Sequence, residues 1–419
     1  MIAHRSLAIG EVPVAELARV YGTPVLALDL RVLDAAIARF ERAAAAHAIE
    51  VAYAGKALLP VALVRRLART SLDLDVCSLG ELAVAERGGM PAARIVMHGC
   101  GKGADEIAAA AAGRAGRVVA DHLPELAALA AVASSARPVS VLLRCNTGIV
   151  AETHAAIRTS GDGTKFGFAM PALPEAVAFV RAQPGLRLAG LHAHLGSQLF
   201  DEAPYLRAAD VLVDALAEIV RPPAGEIATL VIGGGFGVDP HPDGRTFDVE
   251  HVLGAVATRT RERSRERGIA APRLGIEPGR AVVAAAGTSI YEVVVVKRLG
   301  ERRFAIVDGG IADNPRPALY GAYHHPVAVT VRPAGAQVPT TLCGRACEND
   351  ELVTAPLPED LRPGDLIALR TAGAYVAPMA SNYNRFVRPP LVFVDGTRHH
   401  AVVRRETLDD LLRCEIDGT

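Results

Sequence analysis

A (β/α)8 TIM barrel followed by a C-terminal all-β domain is the α/β fold class that the sequence predicts, and three observations predict it. Between residues 51 and 277, eight short β-rich runs alternate with helical segments that end in Gly or Pro. After Gly279 the helical pattern fades and short strands follow one another almost to the end of the chain. Polar and glycine-rich residues gather where the eight runs end, which is the functional rim of such barrels. Alternation by itself leaves a doubly wound open sheet as the competing fold; the count of eight favours closure.

Taken in order, residues 1–30 read as a lead-in that packs with the C-terminal domain. It carries a helix over Val14–Tyr21, stopped by Gly22 and Pro24, and a strand over Val25–Asp29. The barrel is expected over residues 31–284, opening with the alanine-rich amphipathic helix Arg31–His47. Its strands are predicted at Val51–Gly55, Leu72–Cys77, Arg94–His98, Arg117–Ala120, Val139–Cys145, Arg187–His194, Thr229–Ile232 and Arg273–Glu277. The intervening helices are predicted at Leu59–Arg69, Gly80–Arg87, Ala104–Ala112, Pro124–Ser134, Pro174–Arg181, Ala203–Ile219 and Val249–Arg267. Residues 285–419 are expected to form the β-domain. Short strands are predicted in this part of the chain at Val282–Gly287, Ser289–Val296, Arg303–Val307, Val327–Val331, Leu366–Leu369, Pro390–Val394 and Ala401–Arg404, with one late helix, Leu408–Arg413.

The bulk composition excludes several partners. A formal net charge of −1 gives no general pull toward nucleic acid or membrane. The basic run Arg259–Arg267 alternates with Glu262 and Glu266, the pattern of a solvated, salt-bridged helix face. No apolar stretch reaches the roughly 18 residues of a membrane span, and the first residues lack a signal-peptide pattern. The cysteines at 77, 100, 145, 343, 347 and 414 form no CxxC pair, which argues against a disulfide scaffold or a zinc site. These features point to a soluble cytoplasmic protein.

The chemistry collects at the ends of the strands. The first delivers Lys56; the second carries Asp75 and leads to Ser78 and Glu81; the third ends at His98-Gly99 and the fifth at Arg144-Cys145-Asn146. The sixth ends at His192-Ala193-His194-Leu195-Gly196-Ser197-Gln198, the seventh at Gly233-Gly234-Gly235 and the eighth at Glu277-Pro278-Gly279-Arg280. Each has an ordinary reading. A glycine run is common punctuation, a strand-end lysine usually snorkels, and Glu-Pro-Gly makes a turn. His192 and His194, two apart on a strand, share a face, yet no third ligand stands at regular spacing, so no metal is expected. Together, a lysine, a glycine cradle and a lone carboxylate on one rim point to pyridoxal 5′-phosphate (PLP). Lys56 would be the Schiff-base lysine, and the glycine run, with Ser197, would hold the phosphate. Glu277 would pair with the pyridine nitrogen, and His194 would lie against the ring face. Asp75, Gly279 and Arg280, on the same rim, are expected at the cofactor as well.

At these residues the chain resembles the group IV PLP-dependent decarboxylases, whose fold resembles that of alanine racemase, and within them the diaminopimelate decarboxylases. The resemblance runs through YAGKALL (53–59), LDVCSLGEL (74–82), THAAIRTSGDGTKFGF (153–168), HAHLGSQ (192–198), IGGGFG (232–237), EPGR (277–280), RPALYGAYHH (316–325), CE (347–348) and GAYVAPMASNYN (373–384). It implies a homodimer with shared active sites, Cys347 and Glu348 reaching into the partner's site. It also implies Cys347 as proton donor, and Arg280, Arg316 and Tyr320 as holders of the substrate's distal carboxylate. Glu348 is implied near the distal ammonium and Tyr375 at both phosphate and substrate. Arginine suits the carboxylate because its planar fork binds it bidentately.

The chain departs from the family pattern at Leu79, His98-Gly99-Cys100-Gly101-Lys102, Cys145-Asn146-Thr147, Asn349-Asp350-Glu351 and Val376-Ala377-Pro378. The expected reaction is decarboxylation of meso-2,6-diaminopimelate to L-lysine and CO2. A related amino acid of specialised metabolism is the alternative substrate, motivated by residues 349–351 and 376–378. A non-catalytic regulatory relative is the remote alternative, against which Lys56, Glu277 and Cys347 all count.

Overall fold

The computed structural model describes residues 7–149, 164–221, 228–245, 247–329 and 336–416. Eight parallel strands close a barrel: β1 (Ile49–Ala54), β2 (Asp73–Val76), β3 (Ile95–Met97), β4 (Arg117–Ala120), β5 (Val139–Asn146), β6 (Leu186–His192), β7 (Thr229–Val231) and β8 (Arg273–Ile276). Each pairs with the next in sequence, and β8 returns to β1 with Leu274 opposite Ile49. A register shift between Leu188 and Gly190 bends β6. Gly190 cannot be replaced there without cost, because a Cβ would stand 1.8 Å from the Thr229 carbonyl oxygen.

The strands are short and mostly buried, so each carries few residues that can reach the barrel's ends. Val96, Val119, Leu142 and Val231 form one buried apolar cluster. Each lies two residues before His98, Asp121, Arg144 or Gly233, and strand alternation puts residues two apart on one face. The chemistry at the strand ends is therefore stacked on an apolar layer. Outside, Val249–Glu266 is tied to the neighbouring helix Ala203–Ala215 by Arg259–Asp210 (2.6 Å) and Arg263–Asp214 (2.8 Å). The basic run is salt-bridged as its charges predict, but mainly to another helix; Glu262 stands 4.0 Å from Arg259.

The chain divides into two compact units. One is Ile37–Val238 with Arg245–Ala281, the barrel; the other takes the chain up to Ala36, Asp239–Gly244 and everything from Val282. In the second unit the long strand Gly287–Leu299 pairs with Arg302–Val307, Leu366–Arg370 and the N-terminal strand Val25–Asp29. Val25–Asp29 also lies parallel to Leu391–Asp395, so residues from both ends of the chain share this sheet.

Three features of this unit differ from the sequence pattern. Val282–Gly287 is not a strand: Arg280–Val283 is a short helix and pairing begins at Gly287. A short apolar run has no period that separates strand from buried helix. The strands Gln337–Cys343 and Glu351–Pro358 went unread because both hold prolines, which demote a run; Pro339 and Pro356 face each other in the antiparallel pair. Arg316–Tyr320 is a helical turn between Pro315 and Gly321. All six cysteines are free, and among the described residues no helix is long and apolar enough to cross a membrane.

Candidate active site

The glycine run is fixed by its neighbours. A Cβ on Gly234 would sit 2.0 Å from the Glu277 carbonyl oxygen, and one on Gly235 2.4 Å from that of Gly196. Gly233 and Gly235 also have φ of 75° and 94°, where side chains are disfavoured. The run is thus wedged between the ends of β6 and β8. Behind it the buried Tyr205 hydroxyl donates to the Gly234 carbonyl at 3.2 Å, and its ring stacks on Phe236 with centroids 5.3 Å apart. The Gly234 N–H donates to Nδ1 of His194 at 3.2 Å. That bond makes Nδ1 an acceptor and leaves the ring proton on Nε2. Burial, with Lys56 and Arg144 near, holds His194 well below the ordinary histidine range, so the ring is neutral.

Beyond β8, Glu277 is 9% exposed and lies between two imidazoles. Its Oε2 is 3.0 Å from Nε2 of His192 and its Oε1 3.2 Å from Nε2 of His98, which in turn lies 3.4 Å from Oδ1 of Asp75. Burial would protonate Glu277, but His192 and His98 outweigh it and keep its carboxyl well below the usual range. Burial also opposes charge on His98, yet Glu277 and Asp75 lift it to about 9. Asp75 goes the other way, pushed to about 7 by burial and by Glu277. His192 is lowered by burial despite Glu277. The cluster therefore settles with Glu277 ionised, His98 charged and His192 neutral. His192 and His194 do not act as the pair that their spacing suggested: one turns to Glu277, the other to the glycine run. The ligand-type atoms of His98, His192 and Glu277 lie within 4.8 Å of one another, and attraction between imidazolium and carboxylate accounts for that closeness.

Lys56 is exposed at the end of β1, on a short 3-10 turn over Gly55–Ala57 that the buried Tyr53 hydroxyl pins through the Leu58 carbonyl at 2.8 Å. Gly279 packs against this turn, its would-be Cβ 3.2 Å from that of Ala57. Arg280 donates to the Ser197 hydroxyl at 3.2 Å. Lys56, Asp75, His194, Ser197, Gly233–Gly235, Glu277, Gly279 and Arg280 are all residues of the barrel unit. Ser78 and Glu81 serve the helix Leu79–Arg87 instead. Ser78 caps its N-terminus, and Glu81 accepts from the Cys77 N–H at 2.7 Å.

Sequence reasoning missed the buried charges behind the rim. Lys102, its side chain 1% exposed, donates to Glu125 at 2.7 Å and to the carbonyls of Gly99 and Val119. Glu125 accepts from the Asp121 N–H, and Asp121 lies 3.8 Å from Arg144. Lys102 stands in the loop that departs from the family pattern, so this departure carries a buried ion pair.

In the other unit, the Arg316 side chain is buried between two tyrosines. Its guanidinium lies 5.0 Å from the Tyr320 ring centroid and 5.1 Å from that of Tyr375, with Met379 Sδ at 3.8 Å. Tyr375 has φ of 63°, unusual for an aromatic residue and a mark of local constraint. Cys347 is exposed; its N–H donates to Asn384 Oδ1 at 3.0 Å, and Glu348 accepts from the Tyr383 hydroxyl. The fold thus gathers Arg316, Tyr320 and Tyr375 into one group and CE with NYN into another. Residues 153–163, including the loop at Asp162-Gly163, lie outside the described residues.

Comparison with known proteins decides the family. Residues 31–284 match the pyridoxal-dependent decarboxylase, pyridoxal binding domain. The chain is 43% identical over 415 residues to the diaminopimelate decarboxylase of Actinosynnema pretiosum, covering 98% of this chain and 92% of that one. The chain belongs to the diaminopimelate decarboxylase family. It is 36% identical to the Bacillus subtilis member, over 99% of this chain and 96% of that one. The crystal structure of the family's Helicobacter pylori enzyme complexed with L-lysine superposes with a TM-score of 0.88 at 28% identity, covering 96% of this chain and 98% of that chain.

Proposed function

We propose that this chain decarboxylates meso-2,6-diaminopimelate to L-lysine and CO2, using PLP held at the strand-end mouth of the barrel. The observation that carries the cofactor reading is Glu277, a buried carboxylate kept ionised by two histidines on the same rim as Lys56 and the glycine run. An ionised carboxylate suits a pyridine nitrogen that must keep its proton, and backbone N–H groups of a glycine run suit a phosphate. The donor set fits the group. Lys56 would hold it covalently, Gly233–Gly235 with Ser197, Gly279 and Arg280 would hold the phosphate end, and the neutral His194 ring would lie against its face. Asp75 would sit behind the ring nitrogen. Bound PLP supplies an electron sink for the pair released when the bond from Cα to the carboxylate breaks.

The protein's own part is to orient and to move a proton. Arg316, with Tyr320 and Arg280, would bind the distal carboxylate and fix the reacting carbon. The buried guanidinium between two rings has the planar, stacked form that such recognition uses. Tyr375 would touch phosphate and substrate. Cys347 would deliver a proton to the Cα that loses CO2, and Glu348 would meet the distal ammonium. In a homodimer with shared active sites, Cys347 and Glu348 would do this for the other subunit. A cytoplasmic location agrees with free thiols at all six cysteines.

The departures at residues 349–351 lose force as signs of another substrate. Asp350 is buried and accepts from the Ile311 N–H at 2.7 Å, and Glu351 opens a strand. The direct test is to incubate purified protein with PLP and a panel of amino acids that includes meso-diaminopimelate, and to measure CO2 and lysine. Turnover of meso-diaminopimelate is expected. Turnover of a different amino acid alone would remove the substrate assignment.

A further inference from the structure

The barrel's strand-end mouth holds more titratable groups than the roles above require. Each Glu277 oxygen faces a different imidazole, Oε1 at 3.2 Å from His98 and Oε2 at 3.0 Å from His192. The two rings meet edge-on with centroids 5.2 Å apart, and His98 touches a second carboxylate, Asp75, at 3.4 Å. We infer that His98 and His192 are positioning residues for Glu277: His98 is a cation shared between Glu277 and Asp75, and His192 is a neutral N–H donor, together keeping Glu277 ionised for the pyridine nitrogen. The part concerning the pyridine nitrogen rests on the PLP reading.

The coupling among these groups is electrostatic. Two carboxylates buried side by side do not both stay ionised unless a positive charge compensates them. His98 supplies it from between them, with its side chain 13% exposed. Its Nε2 makes no aligned hydrogen bond to either carboxylate, so its hold on both is charge rather than direction. A neutral donor in its place would lose that hold. His192 differs: its side chain is wholly buried and, among the described residues, it lies against one carboxylate only and its Nδ1 has no hydrogen-bond partner. A fully buried imidazole with one acceptor partner is best neutral, with its proton on Nε2 toward Glu277. Other groups face the cluster: Arg144 from β5 acts on Glu277 and His192, and Lys56 from the turn after β1 on Asp75 and His194. Cys77, next to β2, and the neutral His194, beyond β6, add no positive charge. Neither Arg144 nor Lys56 is in the bridging place of His98.

The test uses wild-type protein and the His98→Gln, His98→Asn and His192→Phe variants, with thermal unfolding as a check on folding. In cofactor-free protein, carbon NMR follows the Glu277 carboxyl, assigned by its loss in Glu277→Gln. Replacing His98 should move its titration up by about one pH unit or more, and His192→Phe should move it the same way by less. An unmoved titration overturns the role of the residue concerned. Titration with PLP at a pH below the Glu277 titration, read by the absorbance of bound cofactor, should then show up to about a ten-fold higher Kd per unit of that movement in the His98 variants. The deficit should shrink as pH rises through the variant's Glu277 titration, above which Glu277 is ionised in wild type and variant alike. A Kd like the wild type's overturns the inference, and so does a pH-independent loss, the mark of a merely loosened pocket. Failure of wild-type protein to take up PLP would instead remove the cofactor reading, while the NMR arm still decides what the histidines do to Glu277.

Discussion

The two mouths of the barrel are both polar, and they differ in the kind of charge they hold. At the amino ends of the strands the cations are arginines. Arg117 pairs with Glu50 at 2.6 Å and Asp73 at 3.2 Å, Arg94 with Asp73 at 3.3 Å, and Arg187 donates to Ser140 at 3.0 Å. At the carboxyl ends the groups around Glu277 are His98, His192 and Asp75, two of which titrate within reach of neutral pH. Arginine keeps its charge at any ordinary pH, so the first mouth is a fixed clamp; histidine and a raised carboxylate can exchange protons, so the second can do chemistry. A cavity does not by itself mark the chemical end. A cavity of about 720 Å3 opens at the arginine mouth, lined by Glu50, Arg117, Ser140, Arg187 and Arg273. Titratable groups mark the site better than volume does.

The contrast between the mouths is tested most severely at Lys56. Lys56→Ala should reduce decarboxylation of meso-diaminopimelate by about a thousand-fold or more, because no other side chain would hold the cofactor covalently. The residue is exposed, so the thermal unfolding temperature of cofactor-free protein should stay close to the wild type's. Residual activity within about ten-fold of wild type would remove Lys56 from its proposed role and with it much of the distinction between the mouths.

Gly234→Ala comes next, and it tests whether the glycine run is built by packing as well as for a ligand. The new methyl group would meet the Glu277 carbonyl oxygen at 2.0 Å, backbone that cannot swing aside. The expected loss is about 2–3 kcal/mol in cofactor-free protein, measured by denaturant unfolding. A variant as stable as wild type would mean that the run is free to move and that its glycines serve only the ligand.

Much of the barrel was legible because its signals are local. Each strand is a short β-rich run stopped by Gly or Pro, and Arg117–Ala120 has the predicted bounds. Lys56, Gly233–Gly235 and Glu277 were legible because each sits in a distinctive stretch at a strand end. His98 was visible only as a strand-end residue. Its partners Asp75, His192 and Glu277 lie at or just beyond the ends of three other strands, and nothing between Met97 and Gly99 announces them. The Lys102–Glu125 pair was hidden for a like reason: packing between the neighbouring third and fourth strands and the segments that follow them, not spacing along the chain, makes the contact. In the β-domain, the strands Gln337–Cys343 and Glu351–Pro358 broke a local rule, since their prolines are tolerated through pairing that a single strand cannot reveal.

A smaller effect separates the mouths by pH. His98 is raised in the folded protein from an ordinary value of 6.5 to about 9. Its contribution, on the order of 3 kcal/mol, is therefore complete below about pH 6.5 and lost as pH rises through about 9. Asp75, raised to about 7, has the same sign, its contribution lost as pH rises through about 7. Glu277, held low, has the opposite sign and loses its contribution only in acid. Cofactor-free protein should thus become less stable between about pH 7 and about pH 9 by denaturant unfolding, and His98→Gln should be flatter over that range. An equally steep fall in the variant would place the titrating group elsewhere.

The smallest effect belongs to the arginine mouth. Arg117, Glu50 and Asp73 have side chains 20%, 38% and 19% exposed, so water screens their attraction and Arg117→Met should cost only about 1 kcal/mol. Asp73 would keep Arg94 as a partner, which limits the loss further. A double-mutant cycle with Glu50→Gln should give a coupling of about 0.5–1 kcal/mol. Turnover should be unchanged in Arg117→Met, since the clamp touches none of the groups around Glu277. A fall in kcat without a fall in stability would show that the two ends of the barrel are coupled through its apolar layer, and the arginine mouth would then no longer be only a clamp.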